Sequence, residues 1–176
     1  MGTRLDVTDD ELRTGLFACL AVPRWVDEVA AAGPYSTLDR LLDEAGDAAT
    51  PLSAAEVDQA LEHHPRIGER ARGVGAAQRF SRAEQASGDA EDADLGEALA
   101  AGNRAYEAKF GRVFLIRAAG RSRADILSEL RRRLELAPDD EVAVAGGELR
   151  DIALLRIPQL FTQIDQHSGP DSGAAR

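Results

Sequence analysis

Cysteine is almost missing from this chain. Cys19 is alone among 176 residues, which excludes an intrachain disulfide and a thiolate metal cluster. It lies in an apolar helical stretch and reads as a buried, inert thiol rather than a nucleophile. Aromatic residues make up only 5% of the chain, and β-branched residues are sparse too, which argues against sheets. Positive charge is short as well, since the formal net charge is −10. The basic stripe that phosphate binding requires is therefore missing. The run Arg131-Arg132-Arg133 falls in a helical pattern with acids nearby and reads as a solvated helix face. Net acidity does not exclude an anionic substrate, because a few arginines can reverse the potential inside a pocket. No apolar run approaches a bilayer-spanning length. No basic region followed by an apolar stretch opens the chain, and its last residues, Gly-Ala-Ala-Arg, are no peroxisomal address. The expectation is a cytoplasmic protein that binds neither nucleic acid nor membrane.

What the chain does have is leucine and alanine. They dominate an apolar fraction of 44%, enough for a core and biased toward helix. Helix starts are marked by a hydroxyl three residues before an acid: Thr8 with Glu11, Ser36 with Asp39, Ser53 with Glu56, Ser122 with Asp125. Apolar residues then recur at helical spacing. Leu12, Leu16 and Leu20 follow Thr8, and Trp25, Val26 and Val29 follow Pro23 as far as Gly33. Leu38, Leu41, Leu42 and Ala45 run to Gly46, and Val57, Ala60 and Leu61 run toward His64-Pro65, where proline should stop the helix. Arg66 to Gly75 is polar and Gly-rich, and reads as a loop. A short helix is expected from Ser81. A longer one carries Leu95, Leu99, Tyr106, Phe110, Val113, Phe114 and Arg117 to Gly120. Another holds Ile126, Leu127, Leu130 and Leu134, and the last runs from about Pro138 to Leu160. The pattern predicts an all-α, single-domain helical bundle of about seven to nine helices over residues 1–167, with residues 168–176 as a disordered tail.

Three places break local rules. In His63-His64-Pro65-Arg66-Ile67-Gly68, the histidines either cap a helix C-terminus, where a cation is favoured, or one of them turns into a pocket. A metal site is the weaker reading, since adjacent histidines diverge and the third, His167, lies near the end of the chain. In Ser81-Arg82-Ala83-Glu84-Gln85, Ser81 and Glu84 form a capping box, but the same helix start is friendly to a polar or anionic ligand. On the last helix, Val142, Ala145, Leu149, Ile152, Ala153 and Leu160 share a stripe, with Arg156 in its middle. An arginine facing the core must meet an anion, either a core carboxylate or a substrate carboxylate.

These segments, in this order, resemble the 2-oxo-4-hydroxy-4-carboxy-5-ureidoimidazoline (OHCU) decarboxylase family. The resemblance rests on His64-Pro65-Arg66-Ile67-Gly68, Ser81-Arg82-Ala83-Glu84-Gln85 and Asn103-Arg104-Ala105-Tyr106. It continues through Phe110-Gly111-Arg112-Val113-Phe114-Leu115-Ile116 and Leu155-Arg156-Ile157, and covers roughly Leu12 to Phe161. It implies an all-α, commonly dimeric enzyme that needs no metal and no organic cofactor. The implied reaction converts OHCU to (S)-allantoin and carbon dioxide in uric acid degradation. By the same resemblance His64 is the catalytic histidine and Glu84 its partner. Ser81, Gln85 and Arg156 bind substrate, and the ring of Pro65 and the backbone around Ile116 line the pocket. The alternatives are a non-catalytic helical module that binds a small anionic ureide or a partner enzyme, and an acid–base hydrolase or isomerase of a related ureide.

Overall fold

A computed structural model describes residues 5–62 and 93–167. Among these residues the chain forms seven helices and no strand: α1 (Asp9–Cys19), α2 (Pro23–Ala31), α3 (Leu38–Ala48), α4 (Ala54–Leu61), α5 (Ala93–Phe110), α6 (Arg123–Leu134) and α7 (Pro138–His167). The short helix expected from Ser81, the Arg66–Gly75 loop and the tail 168–176 lie outside the described residues.

Three of the four expected caps form as reciprocal capping boxes, namely Thr8 with Glu11, Ser53 with Glu56 and Ser122 with Asp125. The fourth shifts by one residue. Thr37, not Ser36, is the N-cap of α3, with extended backbone and its Oγ1 accepting from the Arg40 amide at 3.4 Å. Either hydroxyl suits the position, and the register that buries Leu41, Ala45 and Ala48 decides between them. That burial also carries α3 through Gly46, where the sequence suggests a stop. The carbonyls at its C-terminal end are met by side chains: Trp25 Nε1 donates to Ala45 O at 2.9 Å, Thr50 Oγ1 to Gly46 O at 2.8 Å, and Arg24 Nη1 to Ala48 O at 2.7 Å.

The largest departure from the sequence reading is at α5. It ends at Phe110, not Gly120, because Gly111 turns left-handed (φ 70°) and its amide closes on Glu107 O at 2.9 Å. Val113, Phe114 and Arg117 are therefore not helical. Their segment crosses the protein as irregular, non-helical chain with alternating sides. Phe114, Ile116 and Ala118 enter one core, while Leu115, with Val113 beside it, enters the other.

The first core is built from α1–α4 and one face of α7. It includes Leu16, Trp25, Leu41, Val57, Leu149 and Phe161. Helix α7 packs on α1, α3 and α4. Gly15 lets α1 and α7 approach, since a Cβ there would come within 2.6 Å of the Phe161 ring. The second core lies between α5 and α6 and holds Leu99, Tyr106, Phe114, Ile126 and Leu130. Helix α7 is longer than the expected end at Leu160 and runs unbroken through Gly146-Gly147 and Pro158. The projection that put Arg156 on the core stripe therefore holds, with Ala145, Leu149, Ile152, Ala153 and Ile157 buried around it.

Candidate active site

Of the residues singled out from sequence, Ile116 and Arg156 lie among the described residues. His64, Pro65, Ser81, Glu84 and Gln85 lie outside them, and with them the expected meeting of an imidazole, a carboxylate and a guanidinium around one cavity.

Arg156 is 2% exposed. Its Nη1 donates to the carbonyl of Cys19 at the end of α1, at 3.2 Å, and the residue is engaged beyond this one bond. The guanidinium thus stands where α1 ends, on the apolar face of α7. The thiol of Cys19 beside it is no nucleophile. Burial pushes its pKa up to about 12, and the neighbouring Arg156 charge only partly opposes that.

Ile116 turns its side chain into the second core, so what it can offer a ligand is its main chain. The two peptide groups around it are held by side chains. Arg133 Nη1 donates to Leu115 O at 2.6 Å, and the Arg117 amide donates to Glu148 Oε2 at 2.6 Å. Among the described residues the Ile116 amide and carbonyl themselves make no main-chain hydrogen bond. Glu148 lies on α7 two turns before Arg156, so one helix serves both places, separated by about 12 Å of helix rise.

Arg133 corrects the reading of the basic run. Arg131 and Arg132 are exposed, but Arg133 is 0% exposed. Its Nε donates to both oxygens of Glu141 at 3.0 Å, and Nη2 to Glu141 and to Tyr106 Oη. Its guanidinium lies 4.8 Å from the Phe114 ring centre. The Tyr106 hydroxyl donates to Glu141. Burial works against the Arg133 charge, but Glu141 more than offsets it and the net shift is upward. The Tyr106 phenol is likewise pushed up, chiefly by burial and then by its bond to Glu141. The sequence signal was available: Arg133 follows Ile126 and Leu130 at the spacing of one helix face, the same test that singled out Arg156. Glu148 had no comparable signal, because its partner is a backbone amide.

A surface cavity of about 370 Å³ lies elsewhere, beside Tyr35, Arg40, Asp43, Glu44 and Asp47. Its acids would repel a carboxylate, and neither Ile116 nor Arg156 lines it. No group of three or more His, Cys, Asp or Glu side chains among the described residues is arranged to hold a metal. None of the described helices is long and apolar enough to cross a membrane.

The fold and these groups define a class: a small helical bundle with a guanidinium set into its core and a main-chain segment braced beside a long C-terminal helix. The same architecture occurs in a solved structure described as OHCU decarboxylase in the presence of (S)-allantoin. It superposes with a TM-score of 0.68 at 26% identity, over 89% of this chain and 99% of that one. A structure described as (S)-allantoin synthase shares the fold, with a TM-score of 0.63 at 16% identity, over 88% of this chain and 51% of that one. Among curated proteins, the uric acid degradation bifunctional protein TTL of Arabidopsis thaliana is 26% identical over 162 residues, 90% of this chain. This chain spans 48% of that relative's length. The OHCU decarboxylase family model matches residues 6–158, and the chain belongs to that family.

Proposed function

We propose that this chain decarboxylates OHCU to (S)-allantoin and carbon dioxide, a step of uric acid degradation, without metal or organic cofactor. The observation that carries this reading is Arg156. A guanidinium at 2% exposure on the core stripe of α7, in a chain of this family, suits a substrate that bears a carboxylate. The substrate carries a carboxylate and a hydroxyl on one ring carbon. When the bond to the carboxylate breaks, the electron pair stays on that carbon and delocalises into the neighbouring unsaturated ring. The ring nitrogen takes up a proton, the hydroxyl gives up its own as its carbon becomes the carbonyl, and a proton delivered to one face of the ureido-bearing carbon fixes the stereochemistry. The ring is its own electron sink, so the protein has only to hold, orient and protonate.

In this reading Arg156 grips an anionic group by its planar fork. His64 hydrogen-bonds the hydroxyl-bearing centre and transfers the proton, for which an ordinary imidazole pKa near 6.5 is suited. Glu84 orients His64 and accepts from the ureido N–H groups, and Ser81 and Gln85 fix the ring. Pro65 and the Ile116 main chain close the pocket. We extend the reading to a cytoplasmic homodimer, for which Phe17 on α1 and Leu155 on α7, 44% and 38% exposed, supply apolar surface.

The test is His64→Asn assayed on freshly generated OHCU, following released carbon dioxide and the circular dichroism of the product. The rate is expected to fall by at least about 10²-fold, the usual worth of a positioned acid–base group, with the helical fold intact. Near-parental production of (S)-allantoin would overturn the assignment.

A further inference from the structure

We propose that Glu148 is a positioning residue of the substrate site: with Arg133 it aims the Ile116 main chain at the ureido edge of the ligand. The inference rests on the decarboxylase reading, in which the Ile116 backbone lines the pocket.

A trans peptide is planar, and its C=O and N–H point in opposite directions. Ile116 is flanked by two such units. The first is anchored at its carbonyl, where Leu115 O accepts from Arg133 Nη1 at 2.6 Å. The second is anchored at its amide, where Arg117 N donates to Glu148 Oε2 at 2.6 Å. Each anchor sets the direction of the opposite end of its own unit. Those opposite ends are the Ile116 N–H and the Ile116 C=O, which no described residue engages through its main chain. A donor and an acceptor from one residue are therefore aimed as a fixed pair. A ureido group offers the complement, N–H donors and a carbonyl acceptor.

The anchors are themselves anchored. Arg133 is held by Glu141 and Tyr106. Glu148, whose side chain is 13% exposed, has its second oxygen 3.6 Å from Arg121 Nη2. Glu141 and Glu148 stand seven residues apart on α7 and so share a face. Side chains on either side of Ile116, the flanking Phe114 and Ala118 included, bury it in the second core while Leu115 enters the first. The segment cannot rotate about its axis to reach a ligand without emptying one core. Fine adjustment of its peptide planes is left to the two anchors.

Glu148 is the one to test, since it is only partly buried and pairs with no core charge. In the parent protein, titration with (S)-allantoin followed by 1H–15N NMR is expected to shift the Ile116 and Arg117 amide signals. Glu148→Ala is expected to raise KM for OHCU and the Kd for (S)-allantoin together by about tenfold, the scale of one hydrogen bond to a charged group, while kcat changes less than about threefold. Glu148→Gln keeps an acceptor oxygen and should recover most of the loss. Glu148→Asp keeps the charge but withdraws the oxygen, and should behave like Ala; it serves as the test if the Ala variant does not fold. Parental KM and Kd in a folded Ala or Asp variant overturn the positioning role while leaving the decarboxylase reading intact. Amide signals of Ile116 and Arg117 that ignore (S)-allantoin in the parent overturn both.

Discussion

Arg133 on α6 and Arg156 on α7 are sealed from solvent to the same degree, 0% and 2% exposed, but they sit in different cores and keep different company. Arg133 is closed in by a carboxylate, a phenol, a carbonyl and an aromatic face, and its charge is cancelled on the spot by Glu141. Arg156 is tied to α1 through the carbonyl of Cys19 and is engaged beyond that bond. Burial alone therefore assigns neither residue a role. One arginine joins α6 to α7 and to the segment around Leu115. The other stands on an apolar face of the site proposed for an anionic ligand.

Removing Arg133 should have the largest effect on stability. Arg133→Ala strands a buried Glu141 and is expected to cost about 3–5 kcal/mol in denaturant unfolding. The double variant Arg133→Met with Glu141→Leu, which removes both charges, should recover most of that. If Arg133→Ala unfolded at the parental denaturant concentration, the contrast between the two arginines would fail. A surface pair sharpens the scale from the other end. Arg24, 42% exposed, holds Glu56 at 2.6 Å, and with the Ser53 cap it depresses the Glu56 carboxyl from its ordinary 4.5 to about 2. A depressed carboxyl stabilises the fold above its ordinary pKa, so this contribution is present at neutral pH. It is lost as pH falls from about 4.5 to about 2. Glu56→Gln should flatten that acid limb of the unfolding curve by about 1 kcal/mol or less, because the Arg24 side of the pair is open to water. An unchanged acid limb would remove Glu56 as its source.

Much of the fold was legible because local chemistry and burial agreed. Thr8, Ser53 and Ser122 cap where their acids follow, and the α7 stripe predicted the burial of Arg156. Legibility failed where a tertiary partner decides the outcome. Val113, Phe114 and Arg117 fit a helical spacing, but Gly111 ends α5 first, and the segment that follows is buried from both sides instead. A run of residues that is apolar in every direction carries no phase to read. Arg133 was hidden by its two exposed neighbours, although the position of Ile126 and Leu130 marked it. Glu148 acts on a main-chain amide, which leaves no pattern in the side chains at all.

The guanidinium of Arg156 is proposed to serve the ligand rather than the fold. Arg156→Lys keeps the charge and loses the fork, and stereospecific turnover of freshly generated OHCU by this variant, followed by circular dichroism beside its thermal unfolding, tests the claim directly. The expected result is a folded protein whose kcat/KM is lower by at least about tenfold. A folded variant with parental kcat and KM would contradict it.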